Sequence, residues 1–194
     1  MNQLRRISPA AVVLGLAFAA AAHAQTSTWK IDPSHSGIQF EIRHLAVSNV
    51  RGSFSKVSGT VHLDDKDVTK SNVDAVIDAT TVNTNEEKRD AHLKSAEFFN
   101  VAKYPTMTFK STALSNVGGK LQMTGDLTLA GVTKPVTLTL DGPAAPQNAN
   151  GKTVSGFSAT GMIHRPDFNF GSKYGAPLLG DDVKFTIDIE MNKE

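Results

Sequence analysis

Between Ile38 and Met191 the chain alternates apolar and polar residues with period two, again and again. Side chains in a strand point to opposite faces in turn, so this alternation marks strands with one buried face. Ile38, Phe40 and Ile42 alternate with Gln39, Glu41 and Arg43. Val73, Ala75, Ile77 and Ala79 alternate with Asn72, Asp74 and Asp78, with Val76 breaking the pattern. The same rhythm runs through Met107 to Lys110, Leu121 to Leu129, Val136 to Leu140, Phe157 to His164 and Val183 to Met191. Val50 to Asp64 is a further strand-like stretch, with glycines at 52 and 59. Turn residues separate the runs: Asn116-Val117-Gly118-Gly119, Gly131-Val132-Thr133-Lys134-Pro135, and Gly142 to Gly151.

Roughly eight short strands with regular turn signals specify an all-β antiparallel sandwich or barrel. The outer faces are polar, whereas a membrane barrel turns an apolar face outward. About eight strands closed on themselves can enclose one small ligand. One segment departs from period two. Thr84 to Phe99 reads as a helix, with Thr84 and Glu87 spaced as a capping box and Pro105 beyond its end. Such a helix would cap one open end of the barrel. There is no internal repeat and no sign of a second domain.

The N-terminus reads differently. Arg5 and Arg6 precede an apolar run from Ala10 to Ala21, and Ala22-His23-Ala24 fits an A-x-A cleavage site. A run of that length is too short to span a bilayer as a helix. The pattern is that of a secretory signal peptide over residues 1–24, leaving one domain over 25–194. The expected location is the periplasm. The leader carries two of the 20 basic residues and no acidic ones, so 18 basic against 19 acidic residues remain, a net charge of −1. Nucleic-acid binding wants a basic patch, which this balance does not supply. No second long apolar stretch offers a transmembrane anchor. Cysteine is absent, which excludes disulfides, thiolate nucleophiles and Cys-ligated metals.

Motifs for chemistry are scarce. Five histidines lie beyond the leader: His35, His44, His62, His92 and His164. None forms an i, i+4 helical pair, and H-E-x-x-H is missing. Local hydrogen bonds at strand ends and turns account for them without a metal. Asp32-Pro33-Ser34-His35-Ser36 contains the residue types of a hydrolytic triad, but an Asx turn before a strand explains it more simply. G-x-S-x-G, P-loop and dinucleotide glycine motifs are absent. Arg89-Asp90 is either a site ion pair or a structural pair on the helix. Apolar bulk is plentiful by contrast. Phe40, Phe54, Phe109, Phe157 and Phe185 lie on strands, and Phe98, Phe99, Phe168 and Phe170 near their ends. A filled core and a lined pocket would use the same residues.

Several elements in order resemble the YceI-like family of secreted lipocalin-like proteins. They are Trp29-Lys30-Ile31-Asp32-Pro33-Ser34-His35-Ser36, Phe40-Glu41-Ile42-Arg43-His44-Leu45, and Gly52-Ser53-Phe54 with Gly59. Arg89-Asp90-Ala91-His92-Leu93, Phe98-Phe99 and Lys103-Tyr104-Pro105 follow. Gly125-Asp126-Leu127-Thr128-Leu129, Gly131 to Val136, and Asp167-Phe168-Asn169-Phe170 complete the match. The resemblance implies an extended eight-stranded antiparallel barrel, lipocalin-like, with one capping α-helix. It implies that a polyisoprenoid lipid or isoprenoid quinone binds inside the barrel, without catalysis and without a required metal or cofactor. The expected ligand-binding residues are Phe40, Ile42, Phe54, Phe98, Phe99, Met107, Phe109, Leu127, Leu129, Ile163, Phe168, Phe170 and Phe185. From Ala46 to Arg51 the chain is more polar than the family's mouth, which leaves the headgroup open. Transport, storage and envelope stress tolerance all fit such a binder, and a homodimer stays open. The rival is a periplasmic hydrolase or metal-dependent enzyme using His35, His44, His92 or His164.

Overall fold

The computed structural model describes residues 26–194; the expected leader over 1–24 lies outside them. Among the described residues, eleven strands and one α-helix make up the fold. The strands are β1 (Thr26–Ile31), β2 (Gly37–His44), β3 (Ser48–Phe54), β4 (Val57–Asp64), β5 (Asn72–Asp78) and β6 (Thr106–Val117). Then follow β7 (Lys120–Leu129), β8 (Val132–Asp141), β9 (Gln147–Ala149), β10 (Lys152–His164) and β11 (Leu179–Lys193). Eight of them close a ring in the order β1-β4-β5-β6-β7-β8-β10-β11, and β11 returns to β1. Closure leaves the ring without open edges, and all its pairings are antiparallel.

β11 makes this closure possible because it is 15 residues long. One of its edges pairs with β10 from Asp182 to Asn192. Its other edge is shared: Leu179 to Asp188 pair with β2, and Met191 to Lys193 with β1. The β2–β3 hairpin therefore extends the barrel wall beyond the ring. The eight strands of the ring are not the eight read from the alternation. The run Val50 to Asp64 breaks at Ser55-Lys56 into β3, outside the ring, and β4, within it. The eighth place falls to β1.

The helix, α1, is shorter than its sequence signal and spans Glu87–Lys94. Its N-cap is Glu86, whose carboxylate accepts the backbone N–H groups of Lys88 and Arg89. Thr84 cannot act as the cap, because its hydroxyl donates to Asp90 at 2.6 Å and accepts from Arg89 Nε at 2.8 Å. Arg89 and Asp90 thus converge on Thr84 instead of pairing with each other. No residue of α1 is fully buried. Capping and side-chain bonds, more than burial, hold it in place.

One end of the barrel is filled. Trp29, Val61 and Met191 are almost completely buried there, with Trp29 directly opposite Val61. The Trp29 indole N–H donates to Ser27 Oγ at 2.9 Å, and Ser27 in turn donates to Asp65 at 2.8 Å. A buried indole needs such a partner, and this one is supplied from two residues away on the same strand face.

Candidate ligand-binding site

Beyond the filled end the lumen is hollow. A cavity of about 380 Å³ runs between the strands, and nearly all of its lining is aliphatic or phenyl. Inward-facing side chains such as Phe40, Leu127, Ile163 and Phe185 are only half-buried, because they face this space instead of other side chains. Three glycines help to keep it open. Gly52 lies opposite Phe40, and Gly161 opposite Phe185. Gly125 sits diagonally from Phe109, whose direct partner is Leu127. A Cβ on Gly161 would stand 2.6 Å from Phe185 Cζ, and Cβ atoms on the other two would overlap Phe40 and Phe109. Each ring therefore lies over a glycine of the next strand, against the wall, and does not fill the lumen.

Four polar side chains reach the lining: His44, Arg89, His92 and Tyr174. They cluster at the end opposite Trp29. His44 ends β2 and pairs with Leu179. Arg89 and His92 are on α1, and Tyr174 Oη lies 3.3 Å from His92 Nε2. Glu97 ties this end together, accepting from His92 at 2.8 Å, Tyr174 Oη at 2.7 Å and Lys173 Nζ at 2.5 Å. Those hydrogen bonds hold its carboxyl down to about 2. The loop from Arg165 to Asp181 covers part of the same end. Arg165, almost wholly buried, gathers it by donating to the carbonyls of Phe170, Gly171, Tyr174, Leu179 and Gly180 and to the Asp181 carboxylate.

An aromatic chain connects wall to mouth. Phe40 packs on Phe54, Phe54 edge-on to Phe99 at 5.4 Å, and Phe99 on Phe170 at 4.6 Å. Phe98 touches Phe170 and stacks on Tyr174 at 5.5 Å. Of the residues expected from sequence, Phe40, Ile42, Phe54, Phe98, Phe99, Met107, Phe109, Leu127, Leu129, Ile163, Phe170 and Phe185 all line the one cavity. Phe168 does not. It ends the 3-10 turn Arg165–Phe168 and is buried in the core, away from the lumen. The turn breaks the two-residue spacing that would have put Phe168 and Phe170 on one face. The sequence singles out Arg89, as half of an ion pair, and His44 and His92, as residues of the rival enzyme, but not as one polar cluster; Tyr174, and Arg165 as the organiser of the loop, it does not single out. Tyr174 and Arg165 carry no local pattern; only their distant partners give them a role.

The histidines are dispersed. His35 Nδ1 donates to the Asp32 carboxylate (3.1 Å), which also accepts the Ser34 backbone N–H in an Asx turn. Asp32 and Glu190 together raise its affinity for a proton. Ser36 hydrogen-bonds the Glu190 backbone, so no nucleophile–base pair forms in this segment. His164 meets Asp182 at 3.1 Å. Among the described residues only His44 and His92, of the histidines, reach the cavity. Asp32, His35 and Glu190 place ligand atoms within 4.8 Å of one another and could hold a cation, away from the lumen. Among the described residues no helix is long and apolar enough to cross a membrane.

Known proteins share this architecture. Protein YceI of Escherichia coli O157:H7 is 40% identical over 184 residues, which cover 92% of this chain and 95% of that one. The solved YceI protein of Campylobacter jejuni superposes with a TM-score of 0.69 at 35% identity, covering 79% of this chain and 90% of its own. A polyisoprenoid binding domain from Saccharophagus degradans, implicated in plant cell wall breakdown, has the same fold: TM-score 0.61, 15% identity, coverage 86% and 98%. The YceI-like domain itself matches residues 29–191, from Trp29 at the filled end to Met191 near the close of β11. Extension hairpin, helix and hollow lumen fall within that span, as does the ring apart from the first residues of β1 and the last of β11, and the chain belongs to the YceI-like domain family.

Proposed function

We propose that the chain holds the tail of a long isoprenoid lipid, a polyprenyl lipid or an isoprenoid quinone, inside the barrel. The observation that carries this reading is the lumen's chemistry: a hollow, apolar interior with its four polar side chains gathered at one end. Such a space rewards a hydrocarbon tail with about 0.8 kcal/mol per buried CH₂. A headgroup would meet Arg89, His92, His44 and Tyr174 at the mouth. The name of the Saccharophagus degradans domain points to the same ligand class for a barrel of this fold. The reading needs no cofactor. With residues 1–24 removed as a signal peptide, the protein would act in the periplasm, in transport, storage or stress tolerance of the envelope.

Solvent extraction of the purified protein, followed by mass spectrometry, tests this directly. A polyprenyl lipid or quinone in near-stoichiometric amount is expected. Fatty acids or phospholipid alone would contradict the isoprenoid assignment.

A further inference from the structure

Four turns between paired strands have positive φ at both central residues. Three of them place glycine second: Gly118-Gly119 (φ 58° and 78°), Ala130-Gly131 (48° and 82°) and Asn150-Gly151 (50° and 79°). Hairpin turns of this kind favour Asn-Gly or Gly-Gly, because a Cβ crowds the backbone in the left-handed region. The fourth turn, between β2 and β3, breaks the rule. Leu45 and Ala46 hold φ of 52° and 53°, and the Val47 N–H closes the turn on the His44 carbonyl at 3.0 Å. A branched residue at positive φ, with no polar atom to bond its own backbone, is an unfavourable choice that a neighbouring Asn-Gly would relieve.

The same turn is unfavourable in water for a second reason. Leu45 is 50% exposed, Val47 77% and Leu178 44%. They stand together, since the Leu45 N–H donates to the Leu178 carbonyl at 3.1 Å. Leu178 also lines the cavity, so this apolar surface is continuous with the lumen. Beside it, Arg43 donates to Asn49 Oδ1 and to the Ala46 carbonyl, both neutral acceptors. A guanidinium held there, at the base of an apolar tip, suits the phosphate layer above a hydrocarbon phase. Local choices that cost stability mark sites under functional demand.

We propose that Leu45, Val47 and Leu178 insert into a lipid bilayer and seat the mouth of the barrel on it, so that a tail passes between membrane and lumen. The proposal rests on the lipid-binding reading and names the surface that barrel would work against. Its test is flotation of the full mature chain with phosphatidylcholine–phosphatidylglycerol vesicles, alongside the double variant L45N/A46G. The variant supplies the residues that the turn geometry prefers, so it should melt at the same temperature as the parent or higher, yet lose vesicle binding several-fold. Val47→Ser, which leaves the turn backbone alone, should also weaken binding. Failure of the parent to float, or equal flotation of parent and variants, overturns the proposal. So does a parent dimer, seen by light scattering, that L45N/A46G dissociates, for then the tip covers a second copy. Solvent extraction in parallel separates the two readings. Retained isoprenoid without flotation overturns docking alone; flotation of a protein that never carries isoprenoid overturns the ligand alone.

Discussion

Trp29 and Phe185 face the same barrel interior, on strands with the same alternation, yet they do opposite things. Trp29 is packed against Val61 with its N–H satisfied, and it closes one end of the lumen. Phe185 lies flat over Gly161 and leaves the space in front of it empty. The difference teaches that a buried strand face does not decide between core and pocket. The neighbour across the strand pair contributes to the outcome: Trp29 faces Val61 at the filled end, whereas the Phe185 ring lies over Gly161 on one of its two neighbouring strands and lines the lumen.

Truncation at the two ends should expose this contrast most strongly. Trp29→Ala removes close-packed volume and should cost about 3–5 kcal/mol in lipid-free protein. Phe185→Ala, which gives up contacts on one side only, should cost about half as much. Denaturant titration of both delipidated variants measures it. Equal losses would mean that the hollow region behaves as a filled core.

Gly161→Ala sharpens the comparison from the other side. Its Cβ cannot coexist with the ring of Phe185 where it now lies. The ring must swing into the lumen, or the wall must yield at a cost of about 1–3 kcal/mol. The expected result is a protein that still folds but retains less lipid per mole on extraction. Unchanged retention would show that the flat ring does not set the lumen's width.

A smaller effect is expected at the mouth. Glu97 titrates near 2 instead of 4.5, because His92, Lys173 and Tyr174 all donate to its carboxylate. A depressed carboxylate contributes stability above its unfolded value and loses it as pH falls through the folded one. The contribution is therefore whole at neutral pH and fades between 4.5 and about 2. Glu97→Gln should flatten that part of the acid melting profile. It should also speed hydrogen exchange in the loop around Tyr174. An acid profile identical to the parent's would show that this clamp does not hold the mouth.

Much of the wall was legible in the sequence, because period two survives any change of partner. Phe40, Phe109, Leu127 and Phe185 are inward by alternation alone, and the structure sets them around one space. Ring membership was not legible. Nothing local distinguishes β1, which enters the ring, from β3, which stays outside it; both depend on how β11 divides its edge. The helix start was misplaced because Thr84 and Glu87 have capping spacing, while Arg89 and Asp90 claim the Thr84 hydroxyl across the turn. Phe168 misled for a similar reason: it belongs to a 3-10 turn, Arg165–Phe168, that follows β10 and buries it in the core. The role of the glycines was half visible. Gly125 and Gly161 fall on the inward phase, but only pairing reveals the rings above them.

The most direct test is the melting temperature of delipidated protein against isoprenoids of graded tail length. A ligand that binds only the folded state raises stability by RT ln(1 + [L]/Kd), so tighter binding gives a larger shift at the same concentration. If the hollow lumen grips the tail, each shortening of the tail should lower the shift, whichever headgroup is kept. Water-soluble headgroup analogues should do little. A melting temperature that ignores every isoprenoid and responds to zinc would contradict the barrel's assignment to lipid and turn attention to the histidines.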